Sequence, residues 1–537
     1  MAIGRRTVIV AQSNEWRQWG LKEKIGQLFM CGFPGTEPDE GILSLIRDYG
    51  IGGVVYFRRN LKDAAQVAAL SERLQQAAGT PLFLSIDQEG GMVVRLEEGV
   101  TVMPGAMAQG AADDEKLTFE SAKLAAAELR SIGVNMNFAP CLDVNNNPRN
   151  PVIGVRSFGE DPAQVARLGT AAVEGFQQGG MVAVAKHFPG HGDTASDSHY
   201  ELPVVPHDKE RLDRVELVPF RKAIERGVDA IMTAHVVFPA FEPDGVPATL
   251  SPRILTGLLR EKLGFKGVIV TDCMEMNAIS ETIGVARGAV QAIKAGADIV
   301  LVSHRLDRQR AALEAVLEAV HAGEIPESRI DDAVARIMAL KEKRGLFAGN
   351  GKAPDSAAAA EVARKLSEKA VTLVKGRSEL PLPANEPVTV IWTEARAGTE
   401  VIEVIAQEWT LGAALSAEGY AVNEVRVGTQ PTKEEADSVL ASVDGKSGTV
   451  VFVSYNAGFS PEQSGLIREI SARHGGRFIL AAGRTPYDLL ENPGVPVYIC
   501  AYENKPAMMT ALAGVLSGRV TATARLPITV GDYPRGS

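Results

Sequence analysis

The first 340 residues alternate between short apolar runs and longer segments in which apolar residues recur with helical spacing. Short apolar, β-branched runs predict buried strands, and the 3.6-residue period predicts amphipathic helices. Eight strands are predicted, at residues 26–32, 52–57, 81–86, 135–140, 182–186, 230–234, 267–271 and 299–303. The helices predicted between them include residues 63–78, 114–132, 162–178, 209–227, 253–263 and 306–322.

Eight consecutive strand-then-helix units predict an α/β fold that begins with a (β/α)8 barrel of the TIM type. A doubly wound parallel sheet is the competing α/β fold. In a barrel of this type the chemistry lies in the loops that follow the carboxyl ends of the strands. The position of each polar motif relative to its strand therefore indicates whether the motif belongs to a site.

The pattern changes around residues 347–359, which are rich in Gly, Ala and Pro and predict a linker. Beyond it, further strands are predicted at residues 388–392, 420–427, 449–454, 477–481 and 495–501. We predict a barrel domain over residues 1–345, a linker over 346–360 and a smaller C-terminal αβα sandwich domain over 361–537. A chain of 537 residues is also too long for one compact core.

The charge balance and the cysteines narrow the class of protein. The formal net charge of −10 argues against a nucleic-acid partner, because such binding depends on Lys and Arg that neutralise phosphates. Four cysteines are widely spaced without a CxxC pair, so neither a disulfide framework nor a zinc site is predicted. They are Cys31, Cys141, Cys273 and Cys500.

The N-terminal segment bears on localisation. Its apolar run, residues 7–11, is too short for a signal-peptide core or a membrane span. We therefore expect a cytoplasmic protein without a membrane partner.

The densest polar segment, residues 186–199, follows the fifth predicted strand, and five of the eight histidines lie between residues 187 and 235. A metal site is one interpretation, since His187, His191, Asp193, Asp197 and His199 are ligand types at short spacing. The Gly and Pro residues of the segment and the adjacent lysine argue against it. We therefore predict no metal and no cofactor, and for His191 a role in hydrogen-bonding the loop is favoured over catalysis.

Two features of the chain predict general acid/base and nucleophilic chemistry. Asp197 and His199 are two residues apart in an extended segment, so their side chains would project to the same side and the carboxylate could hold the imidazole tautomer. Histidine has a pKa suited to acid/base catalysis near neutral pH. Asp272 ends the apolar strand predicted at residues 267–271, where it is either a reactive carboxylate or a cap of the following helix.

Several segments together resemble the β-N-acetylglucosaminidase branch of glycoside hydrolase family 3. They are IDQEGG, GVRSFGEDP, KHFPGHGDTASDSHYELP, TAH and VIVTDCMEM. The resemblance covers about residues 20–345, and a C-terminal sandwich of the same family would account for residues 360–537. It implies that Asp272 attacks the anomeric carbon and that His199, backed by Asp197, is the acid/base of a retaining double displacement.

The resemblance also implies which residues bind the sugar. Asp87, Arg95, Arg156, Lys186 and His187 would hold an N-acetylhexosamine in the −1 subsite through charge-assisted hydrogen bonds. One departure is that Met92 follows the glycine pair of IDQEGG, where the family usually has an arginine.

The function implied is the exo-acting release of terminal β-linked GlcNAc from chito-oligosaccharides or muropeptide fragments. A phosphorylase is an alternative, because a histidine acid/base leaves the site with one negative charge fewer and phosphate could enter. A family-3 β-glucosidase is less favoured, because its acid/base normally comes from the C-terminal domain. A sugar-binding sensor without turnover is a third alternative, and whether the chain forms a homodimer stays open.

Overall fold

The computed structural model describes residues 15–348, 355–396, 407–445 and 447–537. Eight parallel strands form a closed barrel in which the first strand pairs with the last. The predicted barrel is confirmed, and the doubly wound alternative is wrong because the sheet closes. The strands are β1 Phe29–Cys31, β2 Gly53–Tyr56, β3 Phe83–Ile86, β4 Met136–Asn137, β5 Val182–Phe188, β6 Ala230–Thr233, β7 Val268–Cys273 and β8 Ile299–Val302.

Several barrel helices begin directly after a capping aspartate. The side chains of Asp63, Asp114 and Asp161 each accept a hydrogen bond from a backbone N–H of the first helical turn. The α-helices are Leu21–Gln27, Glu40–Tyr49, Ala64–Ala77, Ala106–Ala112, Glu115–Ser131, Pro162–Gln178, Lys209–Arg214, Leu217–Glu225, Asn277–Ser280, Val285–Ala295, Leu306–His321 and Glu327–Lys343, and Arg253–Lys262 is a π-helix. Their apolar faces and the buried strands share one large core.

The helix predicted over residues 209–227 is instead two helices. The break lies at Val215, whose backbone leaves the helical region at φ −123° and ψ −74°. Next to it, the buried Glu216 accepts two hydrogen bonds of 2.8 Å from Arg211 Nη1. The single-helix prediction was wrong because a periodic pattern does not reveal such an inward-facing ion pair.

The second domain contains a six-stranded mixed sheet with the order β11-β10-β12-β13-β14-β9. Its strands are β9 Thr372–Lys375, β10 Val388–Glu394, β11 Val422–Gly428, β12 Thr449–Ser454, β13 Arg477–Ala482 and β14 Val497–Cys500. Its helices are Ser356–Ala370, Leu411–Ala417, Lys433–Val443, Pro461–Arg473, Asp488–Glu491 and Pro506–Ser517. The predicted architecture of a barrel followed by an α/β sheet domain is confirmed, although the antiparallel edge strand β9 was not predicted.

The C-terminal domain packs against the loops that follow β3 and β4. Met107, Ala108 and Val155 of the barrel chain belong to the hydrophobic core of the sheet domain. Asn145 Nδ2 donates a 3.0 Å hydrogen bond to the Tyr487 hydroxyl across the same boundary. The two domains therefore meet beside the carboxyl ends of the barrel strands.

Two predictions fall partly or wholly outside the described residues. The N-terminal apolar run at residues 7–11 lies outside them, as do residues 349–354 of the predicted linker. Within the described ranges, no helix has both the length and the apolar composition that a bilayer span requires. The domain boundaries and the cytoplasmic location stay predictions.

Candidate active site

A cavity of about 500 Å³ opens at the carboxyl ends of the barrel strands. Its volume lies in the range of about 300–1,000 Å³ that is usual for small-molecule sites. Seven of the eight residues that the sequence singled out line this cavity, and Asp197 contacts one of them. The seven are Asp87, Arg95, Arg156, Lys186, His187, His199 and Asp272.

Asp272 lies at the end of β7, and its Oδ1 accepts a 2.7 Å hydrogen bond from the backbone N–H of Cys273. Burial alone would raise the pKa of Asp272, but the imidazoles of His187, His235 and His199 hold this pKa below the ordinary carboxyl value. The carboxylate therefore stays ionised at neutral pH. An ionised carboxylate is the form that can act as a nucleophile.

His235, from the TAH segment, lies fully buried behind the nucleophile strand. Its Nε2 donates a 3.0 Å hydrogen bond to the carbonyl oxygen of Cys273, and its Nδ1 is 2.8 Å from Thr249 Oγ1. Both ring nitrogens are thus engaged with protein atoms. His235 stabilises the backbone next to Asp272.

Asp197 and His199 form a hydrogen-bonded pair on the loop after β5. His199 Nδ1 is 2.6 Å from Asp197 Oδ1, and the backbone N–H of His199 donates a 2.9 Å hydrogen bond to the same oxygen. Burial would raise the pKa of Asp197, but the hydrogen bond and charge of His199 lower this pKa. The carboxylate fixes the ring and leaves Nε2 as the nitrogen that can exchange a proton with a substrate.

The loop that carries this pair is held by the buried His191. His191 Nε2 is 3.1 Å from Ser198 Oγ, and Nδ1 is 2.8 Å from Thr194 Oγ1. Asn150 Nδ2 donates a 2.9 Å hydrogen bond to the carbonyl oxygen of His191. Burial lowers the pKa of His191 to about 4, so the ring is neutral and holds the loop in place.

A network of buried charges forms the floor of the cavity. Lys186 Nζ lies 2.7 Å from Asp87 Oδ1 and 2.7 Å from Glu89 Oε1. Arg156 donates two hydrogen bonds to Glu89, of 3.0 and 2.8 Å. Burial would raise the pKa of Glu89, but Arg156 and Lys186 lower this pKa to about 2. Arg95 completes the group, with Nη2 at 3.7 Å from Asp87 Oδ2.

Two charged residues of this region were missed in the sequence. Asp143 is fully buried, lies 2.7 Å from His187 Nδ1 and accepts a 2.6 Å hydrogen bond from the backbone N–H of His191. Glu89 belongs to the IDQEGG segment, but no role was predicted for it from the sequence. Asp143 follows β4 by a few residues, and its place after a strand end was the signal that could have identified it.

The five residues considered as metal ligands do not form a common centre within the described residues. His187 groups with Cys141 and Asp143, and Asp193 groups with His207 and Glu216, each with ligand-type atoms within 4.8 Å of one another. Arg211 forms ion pairs with both carboxylates of the second group, at 3.7 Å from Asp193 and 2.8 Å from Glu216.

Comparisons with known proteins agree with the motifs. The family described as "Glycosyl hydrolase family 3 N terminal domain" matches residues 20–340. The chain is 32% identical over 549 residues to beta-hexosaminidase A of Pseudoalteromonas piscicida, with 92% of each chain covered. It is 29% identical over 544 residues to a beta-N-acetylglucosaminidase/beta-glucosidase of Cellulomonas fimi, with 95% of this chain and 94% of that protein covered.

A solved structure extends this similarity to both domains. A glycoside hydrolase family 3 beta-N-acetylglucosaminidase from Paenibacillus sp. str. FPU-7 superposes with a TM-score of 0.93 at 52% identity. The match covers 95% of this chain and 99% of that one. The resemblance inferred from the motifs is confirmed: the chain belongs to glycosyl hydrolase family 3 and is a glycoside hydrolase.

Proposed function

We propose that the protein is a retaining exo-β-N-acetylglucosaminidase with Asp272 as the nucleophile and His199, oriented by Asp197, as the acid/base. One observation carries the proposal: the loop after β5 and the end of β7 bring the Asp197–His199 pair and the ionised Asp272 to one cavity. The names of two relatives, a beta-hexosaminidase and a beta-N-acetylglucosaminidase, support N-acetylhexosaminides as the substrate class.

In the first displacement a carboxylate oxygen of Asp272 forms a bond to the anomeric carbon while the glycosidic C–O bond breaks. The Nε2 proton of His199 passes to the departing oxygen, which leaves as an alcohol. The hydrogen bond from Nδ1 to Asp197 stabilises the imidazolium that exists before this transfer. The product of the step is a glycosyl ester on Asp272.

In the second displacement water attacks the same carbon. His199 Nε2, now without its proton, accepts a proton from the water, and the bond between the anomeric carbon and Asp272 breaks. Two inversions leave the released sugar with its original β configuration.

The charged floor supports the exo-acting mode. Lys186 and Arg156 line the cavity, are buried, and are each fixed by an ion pair to Glu89, which supports their closing the end against which the terminal sugar lies. A terminal sugar can lie against this floor with its hydroxyl and N-acetyl groups bonded to charged atoms. A chain that continued beyond that sugar would collide with the floor.

A phosphorylase is the second candidate, because the acid/base is a histidine and the cavity is also lined by Arg95, Arg156 and Lys186. These features reduce the repulsion that phosphate would meet beside a pair of carboxylates. Phosphate would then take the place of water in the second displacement and leave GlcNAc-1-phosphate as the product.

The deciding experiment compares the wild type, Asp272→Ala and Asp307→Ala on p-nitrophenyl β-N-acetylglucosaminide, with and without phosphate. Asp307 is exposed, with 66% of its side chain accessible, and is the matched control. We expect free β-GlcNAc as the first product, no effect of phosphate, and loss of turnover only in Asp272→Ala. Sugar phosphate would identify a phosphorylase.

Two further outcomes complete the test. No turnover by the wild type on this substrate or on the matching glucoside would leave the sugar-binding sensor as the remaining interpretation. If turnover is found, kcat/KM on diacetylchitobiose and on a GlcNAc–muramyl disaccharide distinguishes chito-oligosaccharides from muropeptide fragments as the natural source.

A further inference from the structure

We infer that Glu503 and Lys505 of the C-terminal domain are positioning residues for the sugar-binding site, through the loop that follows β3. This loop, residues 87–105, is called the β3 loop below. The inference rests on the proposed function, since Asp87, Glu89 and Arg95 of the loop belong to the charged floor and its surroundings. It assigns to the C-terminal domain a part in substrate binding.

The β3 loop folds back on itself by its own hydrogen bonds. Gly91 N–H donates to the carbonyl oxygen of Met103 at 2.8 Å, which brings the two ends of the loop together. In the middle, Gln88 Oε1 accepts a 2.9 Å hydrogen bond from the backbone N–H of Arg95. A contact at Gly91 or at Gly105 therefore acts on the same segment that presents Glu89 and Arg95.

Glu503 makes this contact. Its side chain is buried, and its Oε2 accepts a 2.7 Å hydrogen bond from the backbone N–H of Gly105. A Cβ atom added at Gly91 would lie only 2.5 Å from the same Oε2, and Gly91 has the left-handed φ of +56°. The second glycine of IDQEGG thus leaves the space that the Glu503 carboxylate occupies.

Lys505 provides a second contact two residues further on. Its Nζ donates a 2.5 Å hydrogen bond to Glu97 Oε1 of the β3 loop, and only 6% of the Lys505 side chain is exposed. Residues 503–505 lie between the end of β14 and the start of helix Pro506–Ser517. One segment, fixed at both of its ends, therefore holds the β3 loop at two points.

The path from this segment to the cavity is short. Gly91 is two residues from Glu89, whose carboxylate bonds to both Arg156 and Lys186. A shift of the loop would move Glu89 and so disturb the two cations that are proposed to bind the sugar. Small misplacements of substrate-positioning groups reduce turnover strongly.

The alternative role of Glu503 and Lys505 is only to hold the two domains together. A different inter-domain ion pair provides the control for this alternative. Lys369 Nζ lies 2.6 Å from Asp114 Oδ2, an ion pair that contacts the cap of helix Glu115–Ser131 and no sugar-binding segment. Loss of this pair removes a contact to the barrel without touching the β3 loop. Lys369→Met is thus the inter-domain control for Lys505→Met, with the difference that 52% of the Lys369 side chain is exposed.

The experiment measures kcat/KM on p-nitrophenyl β-N-acetylglucosaminide and the inhibition constant of GlcNAc for full-length variants, well below each variant's Tm. We expect Glu503→Ala to lower kcat/KM roughly 10- to 100-fold and to weaken GlcNAc binding in parallel. Glu503→Gln keeps an oxygen acceptor for Gly105 N–H and stays within about threefold of the wild type. The kcat/KM of Lys505→Met should lie between those of Glu503→Ala and Glu503→Gln. The kcat/KM of Lys369→Met should equal the wild-type value.

Two further tests are a charge exchange between Lys505 and Glu97 and a hydrogen-exchange measurement that does not depend on activity. Lys505→Glu should lose activity and Glu97→Lys/Lys505→Glu should regain it, even if Glu503→Ala does not fold. Hydrogen exchange over residues 88–105 should quicken in Glu503→Ala or Lys505→Met and not in Lys369→Met, whether or not the wild type turns over this substrate. Losses in the Glu503 and Lys505 variants no larger than in Lys369→Met, or unchanged exchange in the β3 loop, would overturn the inference.

Discussion

Buried charges cluster at both ends of the barrel, and the two clusters differ in what surrounds them. At the amino end, Asp298 directly precedes β8 and is fully buried. It contacts three guanidinium groups: Arg260, Arg329 at 3.2 Å and Arg336 at 3.0 Å. Its Oδ2 also accepts a 3.0 Å hydrogen bond from the backbone N–H of Ile269.

At the carboxyl end, the charged groups face an open cavity. Asp87, Arg156 and Lys186 bond to protein atoms on one side and line a space of about 500 Å³ on the other. A hydroxyl or amide of a ligand can therefore join the network without displacing a protein contact. A buried charge cluster alone does not identify a site. A cluster that opens onto a cavity at the carboxyl ends of the strands does.

The comparison predicts that changes at the carboxyl end affect turnover and that changes at the amino end affect stability. After the loss of turnover expected for Asp272→Ala, the largest effect is expected from His199→Gln. We expect kcat/KM on diacetylchitobiose to fall roughly 10²- to 10⁴-fold, because its alcohol leaving group needs a proton. The fall on p-nitrophenyl β-N-acetylglucosaminide should be smaller, because p-nitrophenolate leaves readily. Steady-state kinetics on both substrates measures the difference, and equal losses would argue against His199 as the acid.

Asp298→Asn tests the other end. The variant removes the charge of a fully buried carboxylate from three partly buried guanidinium groups, so we expect the free energy of unfolding to fall by about 3–5 kcal/mol. Because the cluster lies away from the cavity, kcat/KM of the folded variant should stay within about threefold. Urea unfolding and kinetics below the Tm measure the two quantities. A folded variant with strongly reduced kcat/KM would break the distinction between the two ends.

Asp143→Asn sharpens the account of the carboxyl end. Burial would raise the pKa of Asp143, but His187 and His191 hold this pKa well below its usual range. Asparagine lacks the carboxylate that holds His187 Nδ1 at 2.7 Å, and we expect kcat/KM to fall roughly 10- to 100-fold.

The same change should move the pH profile in a defined direction. The hydrogen bond from Asp143 orients the His187 imidazole that lowers the pKa of Asp272, so loss of this orientation raises the pKa of Asp272 and its ionised form is lost at a higher pH. The acid limb of the kcat/KM profile should shift to higher pH in Asp143→Asn. An unchanged acid limb would show that His187 does not control the nucleophile.

The fold could be predicted closely because its signals are local. Most barrel strands, such as Phe83–Ile86, contain a short buried apolar run, and helices such as Ala64–Ala77 begin just after a capping aspartate. The edge strand Thr372–Lys375 was missed because three of its four residues are only half-buried, which leaves a weak apolar pattern. The break at Val215 depends on a side-chain contact that no periodic pattern shows.

The site could be predicted only in part, because some of its contacts join distant segments. Asp197 and His199 are adjacent in sequence, so their pairing follows from local geometry. Asp143 and His187 are 44 residues apart and meet only because β4 and β5 are neighbours in the barrel. Glu503 meets Gly105 across 398 residues and two domains, which a single sequence cannot reveal.

The smallest effect on turnover is expected at Lys341, a buried lysine near the amino end of the barrel. Its Nζ donates a 2.8 Å hydrogen bond to Gln27 Oε1 and lies 5.1 Å from the centre of the Phe83 ring. Burial lowers the pKa of Lys341 to about 7, whereas the unfolded chain keeps this proton until about pH 10.4.

Between these two pH values the unfolded state binds more protons, so the free energy of unfolding should increase with pH by at most about 1.4 kcal/mol per pH unit from this group. Lys341→Met removes the titration, and the difference in unfolding free energy between wild type and variant should therefore grow in favour of the wild type from pH 7 to pH 9.5. Urea unfolding across this range measures the difference, with Lys369→Met as the exposed control. A difference that stays constant with pH would mean that Lys341 keeps its proton in the folded barrel and that the amino end tolerates an unpaired charge.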